Sequence, residues 1–143
     1  MMPRSVIDLG TNDMRGIASV DKVKNGTGMA RFAEETLQFM VNATKLYQKK
    51  DIHFFLNAGP MENSTIVGTL SAIKMANVAG LNATFVDMQT ACVDHMHDYA
   101  GNNGDGCDGC AGHPGIQGHR GMYEAAWPVM AKAMGWESWP QHA

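Results

Sequence analysis

Three short apolar runs alternate with three longer segments of helical periodicity, and this alternation is the strongest constraint on the fold. The apolar runs lie at residues 5–9, 52–57 and 83–88. Nearly continuous apolar character is typical of parallel strands that are covered on both faces. The helical segments lie at residues 29–47, 64–78 and 114–134. Strands that alternate with helices predict an α/β domain, with a parallel sheet, right-handed crossovers and helices on its faces.

Length and charge narrow the class of protein. The chain has 143 residues, enough for one domain with a sizeable core, and its apolar content of 45% is ordinary for a globular protein. The net charge of −3 gives no general attraction to nucleic acid or to an anionic membrane. No run of about 18 apolar residues is present, and the chain opens without a basic-then-apolar signal segment. We therefore expect a single domain over residues 1–143, with no nucleic-acid or membrane partner.

A glycine-rich stretch at residues 104–119 marks a loop that leads into the last helical segment. Pro114 ends this loop and suits a first helical turn, because its φ is fixed and its missing N–H costs nothing there. His113 therefore lies at a loop-to-helix junction, where its ring can serve as a general base. The alternative interpretation is a surface histidine in a turn.

The predicted topology also indicates where a site belongs. In an open parallel sheet, ligands bind beyond the carboxyl ends of the strands. The loops that follow the three predicted strands lie at residues 10–13, 57–62 and 89–113. We therefore expect the chemistry of this chain among these three loops.

Cysteine and asparagine patterns bear on the cellular compartment. The three cysteines are Cys92, Cys107 and Cys110. Their odd number leaves at least one thiol free if disulfides form. Four Asn-x-Ser/Thr sequons begin at Asn25, Asn42, Asn63 and Asn82. Sequons of this kind are glycosylation acceptors in secreted proteins. We expect a secreted or secretory-pathway location for the full-length form, and in that case a disulfide between Cys92 and either Cys107 or Cys110.

Two motifs resemble the sequence blocks of the SGNH (GDSL-type) hydrolases. The Gly10-Thr11-Asn12-Asp13 element follows a predicted strand and is similar to the third block of that family. The run into His113-Pro114 is similar to its fifth and last block, and Gly115-x-x-Gly118-His119 resembles the form in its carbohydrate O-acetyl esterase branch. The resemblance covers nearly the whole chain, as the carboxyl-terminal half of the family's domain.

The resemblance implies a three-layer α/β/α, flavodoxin-like fold and a carboxylic-ester hydrolase without a cofactor. The substrate would be a small-molecule or carbohydrate ester, from which hydrolysis removes an acyl or acetyl group. Ester cleavage builds negative charge on a carbonyl oxygen, and a donor aimed at that oxygen can lower the barrier by about 3–4 kcal/mol. By resemblance, Asn12 is this oxyanion donor, Gly10 belongs to the same block, and His113 is the catalytic base. Asn12 can alternatively cap its own turn.

The chain departs from the family pattern at the acid. The family's carboxylate lies three or two residues before the histidine, and Cys110 and Ala111 occupy those positions here. Asp108 is the nearest substitute carboxylate. The other arrangement is a Ser-His dyad, in which a backbone carbonyl orients the imidazole and fixes its tautomer.

The second departure concerns the nucleophile. The family's serine lies in a Gly-Asp-Ser block on an earlier strand, and no such block occurs in this chain. The serines are Ser5, Ser19, Ser64, Ser71 and Ser138. We therefore interpret the chain as a truncated hydrolase domain that lacks its nucleophile-bearing segment and has little esterase activity. The strand at residues 5–9 would then expose an apolar edge through which copies of the chain associate.

Two other classes of function stay open. The last third of the chain is dense in metal-ligand residue types, and Cys107-x-x-Cys110 with a histidine would suit zinc. The ligand-type residues are Asp94, His95, His97, Asp98, Cys107, Cys110, His113 and His119. A calcium site is a weaker alternative, because the acidic spacing is not that of a helix-loop-helix calcium loop. The third possibility is a non-enzymatic binding or dimerising module.

Overall fold

The computed structural model describes residues 4–8, 27–48, 51–57, 66–88 and 116–136, which form three strands and three helices. The elements in chain order are β1 (Arg4–Asp8), α1 (Thr27–Leu46), β2 (His53–Asn57), α2 (Ile66–Val78), β3 (Asn82–Phe85) and α3 (Ile116–Met134). The predicted α/β alternation is confirmed. Most bounds differ from the predicted ones by one or two residues, which is the usual uncertainty of element ends. The largest difference is at β3, which ends at Phe85 and not at Met88.

The three strands form one parallel sheet in the order β1-β2-β3. β2 is the middle strand, and it pairs with β1 from Arg4 opposite His53 to Asp8 opposite Asn57. It pairs with β3 from His53 opposite Asn82 to Leu56 opposite Phe85. The predicted parallel sheet is therefore confirmed for the part of the chain described.

The larger hydrophobic cluster joins α1 and α2 to one face of the sheet. Its buried residues are Met40, Ile52, Phe54, Leu56, Ala76 and Ala83, with Leu37, Ala43, Ile73 and Leu81 packed around them. Side chains two apart on a strand share a face, so Phe54 and Leu56 define this side of β2. Met40 is fully buried, which confirms for this residue that methionine fills the core.

The smaller cluster joins α3 to the sheet through Phe55. Its buried residues are Phe55, Val86 and Ala126, with Met88, Val129, Met130 and Met134 packed against them. Because Phe55 lies between Phe54 and Leu56 in the strand, it faces the opposite side. β2 therefore contributes its side chains alternately to two separate clusters.

Glycine ends two of the helices. At the end of α2, Gly80 has φ +81°, and the Leu81 N–H donates to the Ala76 carbonyl at 2.9 Å. At the end of α3, Gly135 has φ +60°, and the Trp136 N–H donates to the Ala131 carbonyl at 3.0 Å. Both ends have the six-to-one hydrogen bond of a Schellman cap, which glycine allows because it has no Cβ. Gly80 follows the predicted helical segment at residues 64–78, where a glycine cap is expected from the sequence, and the structure confirms the cap.

The turn at Gly135 brings Trp136 back onto α3. The Trp136 ring stacks on that of Trp127, with centroids 5.3 Å apart, and Trp127 stacks on Tyr123 at 6.0 Å. Trp136 is still 37% exposed. Trp136 therefore covers part of the aromatic surface of α3, and Trp139 lies outside the described residues.

α1 and α2 approach each other closely at Gly68. A Cβ added there would lie 2.8 Å from Phe32 Cδ1, 3.3 Å from Met29 Sδ and 3.4 Å from the Met29 carbonyl oxygen. Real side chains do not tolerate the first of these distances. Glycine at this position therefore allows the two helices to pack, because it presents no side chain to α1.

Several large apolar residues of the predicted helical segments are exposed and do not belong to the inward faces of the helices. On α1 and just after it these are Phe39, Leu46 and Tyr47, and on α2 they are Val67 and Leu70. The inward line of α1 runs through Ala33, Leu37 and Met40 at helical spacing, and Phe39 lies about 100° around the helix from Met40. No helix in the described ranges is long and apolar enough to cross a membrane.

The outer edge of β3 is covered by a side chain of α2. Asn77 Nδ2 donates to the Ala83 carbonyl at 3.1 Å, and the Ala83 N–H donates to Asn77 Oδ1 at 3.0 Å. The amide group of Asn77 thus makes the two bonds that a neighbouring strand would make. It satisfies both backbone groups of Ala83 at an edge that would otherwise be open.

Candidate functional site

The carboxyl ends of the three strands lie at one edge of the sheet, within one residue of each other in register. Asp8, the last residue of β1, is in register with Asn57, the last residue of β2. Phe85, which ends β3, is in register with Leu56. The chain therefore leaves all three strands at the same edge, which is where parallel α/β sheets bind ligands.

Asn57 is a buried polar residue at this edge. It is 4% exposed, and its Nδ2 donates to Met88 Sδ at 3.4 Å. The predicted strand at residues 52–57 ends at Asn57, and the structure confirms Asn57 as the last residue of the middle strand. A polar residue that directly closes an apolar run is the signal that could have marked it, because a buried amide must find hydrogen-bond partners.

Thr69 is a second buried polar residue, in the first described turn of α2. It is 2% exposed, and its Oγ1 makes no hydrogen bond within the part of the chain that the structure describes. Leaving a buried hydroxyl without a partner costs about 1–3 kcal/mol. The middle strand and the helix that follows it in the chain thus each carry a buried polar side chain.

The predicted site residues lie outside the described residues. These are Gly10, Asn12, Asp108 and His113. The structure does describe the elements on either side of them. β1 ends two residues before Gly10, and α3 begins three residues after His113. The convergence of the two motifs at the carboxyl edge stays a prediction.

Most residues of the alternative zinc site also lie outside the described residues, together with the three cysteines. His119 is the exception, and it is exposed on α3. Within the described ranges, no three His, Cys, Asp or Glu side chains form a group that could hold a metal ion.

His53 is a titratable residue at the opposite, amino end of β2. Its ring stacks flat on Phe55, with centroids 4.5 Å apart and planes 12° from parallel, and its Nε2 lies 2.8 Å from Thr84 Oγ1. Burial lowers the pKa of His53, because the charged ring loses solvation. This group lies at the other end of the strand from the candidate site, and we assign it a packing role.

The lowered pKa of His53 predicts a pH dependence of stability. The unfolded chain has the usual histidine pKa of about 6.5, so between that value and the lower folded pKa the unfolded chain binds more protons. Above about pH 6.5, His53 is therefore expected to leave the free energy of unfolding unchanged. Below this pH, protonation of the unfolded chain should lower the free energy of unfolding. Because the ring is only half-buried, we expect a small effect, measured by urea unfolding at a series of pH values.

Two variants isolate this effect. His53→Gln removes the titrating ring, so the difference in stability from the wild type should shrink as the pH falls below about 6.5. His119→Gln removes an exposed histidine and should leave the pH profile unchanged. Parallel profiles for the wild type and His53→Gln would contradict the assignment.

Comparisons with known proteins add no assignment. No protein-family model matches the chain, and searches of curated proteins and of solved structures find no match to it.

Proposed function

We propose that the chain is an SGNH-type hydrolase domain that contributes an oxyanion donor, Asn12, and a general base, His113, to the cleavage of an acyl or acetyl ester. The observation that supports this most strongly is that the parallel strands end together at one edge of the sheet. The segment with Gly10 and Asn12 leaves β1 at the edge where β2 also ends, at Asn57.

Chain connectivity is compatible with a shared site. Asn12 is the fourth residue after Asp8, and an extended chain can span at most about 14 Å over that length. His113 is the third residue before Ile116, which corresponds to at most about 10 Å. A helix that returns from a parallel strand usually has its first turn near that strand's carboxyl end, which supports a shared site for the two motifs at this edge.

The proposed fold is a three-layer, flavodoxin-like one. The two clusters on opposite sides of β2 support this, because α1 and α2 pack against one face and α3 against the other. Helices on both faces are typical of a doubly wound sheet, whose strands bind ligands at their carboxyl ends.

The proposed chemistry divides between two groups. The Asn12 side-chain N–H₂ would donate to the carbonyl oxygen as it gains charge. His113 would accept a proton from the attacking water and return it to the leaving alkoxide, so that the products are a carboxylic acid and an alcohol. Asp108 or a backbone carbonyl would orient the imidazole. The Gly-x-x-Gly-His motif at Gly115–His119 supports a carbohydrate ester as the substrate class. Without a Gly-Asp-Ser block, we expect slow turnover by this chain.

The test is the hydrolysis of p-nitrophenyl acetate by the purified chain and by two variants. We expect a slow rate above the buffer background for the wild type. His113→Ala should lower this rate by about 100-fold or to background, which is the usual effect of losing a general base. Asn12→Ala should lower it by a similar factor through loss of the oxyanion donor.

Matched control variants use residues outside the proposed site. Asn42→Ala removes an exposed asparagine of α1, and His53→Gln removes the histidine at the opposite, amino end of β2. Both should hydrolyse the ester at the wild-type rate. Equal rates for the wild type, His113→Ala and Asn12→Ala would mean that these residues catalyse nothing here.

A further inference from the structure

The hydrogen bonds of the sheet determine which backbone groups point out of it. The Val86 N–H donates to the Leu56 carbonyl at 2.8 Å, so Leu56 directs its backbone groups toward β3. Successive residues of a strand direct their N–H and C=O to alternate sides. Phe55 therefore directs both of its groups toward β1.

The same alternation fixes the open edge of β1. Phe55 is in register with Val6, so it bonds to the two β1 residues on either side of Val6. Arg4, Val6 and Asp8 consequently direct their N–H and C=O groups away from β2. Within the described ranges no strand lies beyond β1. A row of three residues with outward backbone groups is a template for pairing with another strand.

The sequence of β1 is complementary to itself. If two β1 strands pair antiparallel about Val6, Arg4 of each lies opposite Asp8 of the other. The residues that then face each other across the two strands are Arg4, Val6 and Asp8 of each copy, which are the residues with outward backbone groups. Each of the three opposed pairs can therefore exchange two backbone hydrogen bonds. Opposite charges directly across an antiparallel pair are stabilising, whereas like charges are destabilising.

We propose that two copies of this chain associate through antiparallel pairing of β1, and that Asn77 prevents the same kind of pairing at β3. The two-fold contact uses the same strand of each copy and joins the two three-stranded sheets into one. Association stops at two copies because Asn77 occupies both backbone groups of Ala83 at the other edge. This inference does not depend on the proposed esterase activity.

The first test is the mass of the purified chain by light scattering, together with hydrogen exchange. A dimer is expected, with the amides of Arg4 and Val6 more protected at high protein concentration than at low concentration. A monomer at every concentration would overturn the proposal. So would a dimer whose β1 amides exchange equally fast at all concentrations.

Three variants then test which edge pairs. Val6→Pro removes an outward N–H without removing a bond to β2, so it should give a monomer. Asn77→Ala should expose Ala83 and give species larger than a dimer. The double variant should return to a dimer, which now pairs through β3. Lys74→Ala, on the same helix as Asn77, should behave as the wild type. A dimer for Val6→Pro or for Asn77→Ala would contradict the proposed edges.

Charge reversal tests β1 pairing if Val6→Pro proves unfolded by circular dichroism. Arg4→Asp places an acidic residue opposite Asp8 at both ends of the paired strands. The variant should therefore weaken dimerisation by about tenfold. The swap Arg4→Asp with Asp8→Arg restores opposite charges and should restore the dimer. Equal dissociation constants for the single and swapped variants would overturn the antiparallel register.

Discussion

Phe54→Ala is expected to lower the free energy of unfolding by about 3–5 kcal/mol. Phe54 is fully buried in the middle strand and belongs to the cluster that joins α1 and α2 to the sheet. Truncating its ring removes apolar burial and leaves a cavity between elements that cannot collapse freely. Since domains of this size are stable by about 5–15 kcal/mol, this loss is a large share of the total stability.

Phe39→Ala is the matched control for this prediction. It is the same substitution at a residue that is 49% exposed on α1, so it should cost much less than Phe54→Ala. Urea unfolding of both variants, followed by circular dichroism, gives the comparison. Equal losses for the two variants would mean that the core is not where the structure places it.

Gly68→Ala is expected to lower the free energy of unfolding by about 1–3 kcal/mol, although alanine is the better helix former by about 1 kcal/mol. The reason is the contact with α1, where the new methyl group would lie 2.8 Å from Phe32 Cδ1. The Phe32 ring or the whole of α1 must move to relieve this overlap. Overpacking therefore outweighs the gain in helix propensity.

A double-mutant cycle separates these two effects. In a Phe32→Ala background the methyl group of Gly68→Ala has room, so the substitution should become neutral or stabilising. The measurement is the midpoint of urea unfolding for the wild type, the two single variants and the double variant. A stabilising Gly68→Ala in the wild-type background would contradict the close approach of the two helices.

The sequence predicted the elements and their parallel pairing because those depend on local pattern. Continuous apolar runs marked β1 and β2, and apolar residues at helical spacing marked the three helices. Gly80 was predictable as a cap because a glycine after a periodic segment has one common use. Apolar character alone, however, did not separate Met40, which is buried, from its neighbour Phe39, which is not. That difference depends on where the neighbouring elements pack.

Contacts between distant residues were the part that sequence reasoning could not supply. Asn77 looks like any polar residue near a helix end, and only the position of Ala83 gives it a role. Asn57 was predicted at the end of the second strand, but its burial and its hydrogen bond to Met88 depend on a contact with a residue 31 positions away. The candidate site itself was predicted from two motifs. The assignment of Asn12 and His113 to this site depends on that resemblance. It is supported by the strands β1 and β2, which end in register at the same edge.

The stacked pair Trp127 and Trp136 gives the chain an internal optical reporter. Trp127 of α3 and Trp136, just after this helix, are two of the three tryptophans, and their ring centroids lie 5.3 Å apart. Both are far in sequence from the cluster around Phe54. Indole emission will follow the docking of the last helix, while peptide absorption follows all six elements together. Coincidence of the two signals during denaturation would reveal a single cooperative unit, and a lag between them would show the α3 side of the sheet loosening by itself.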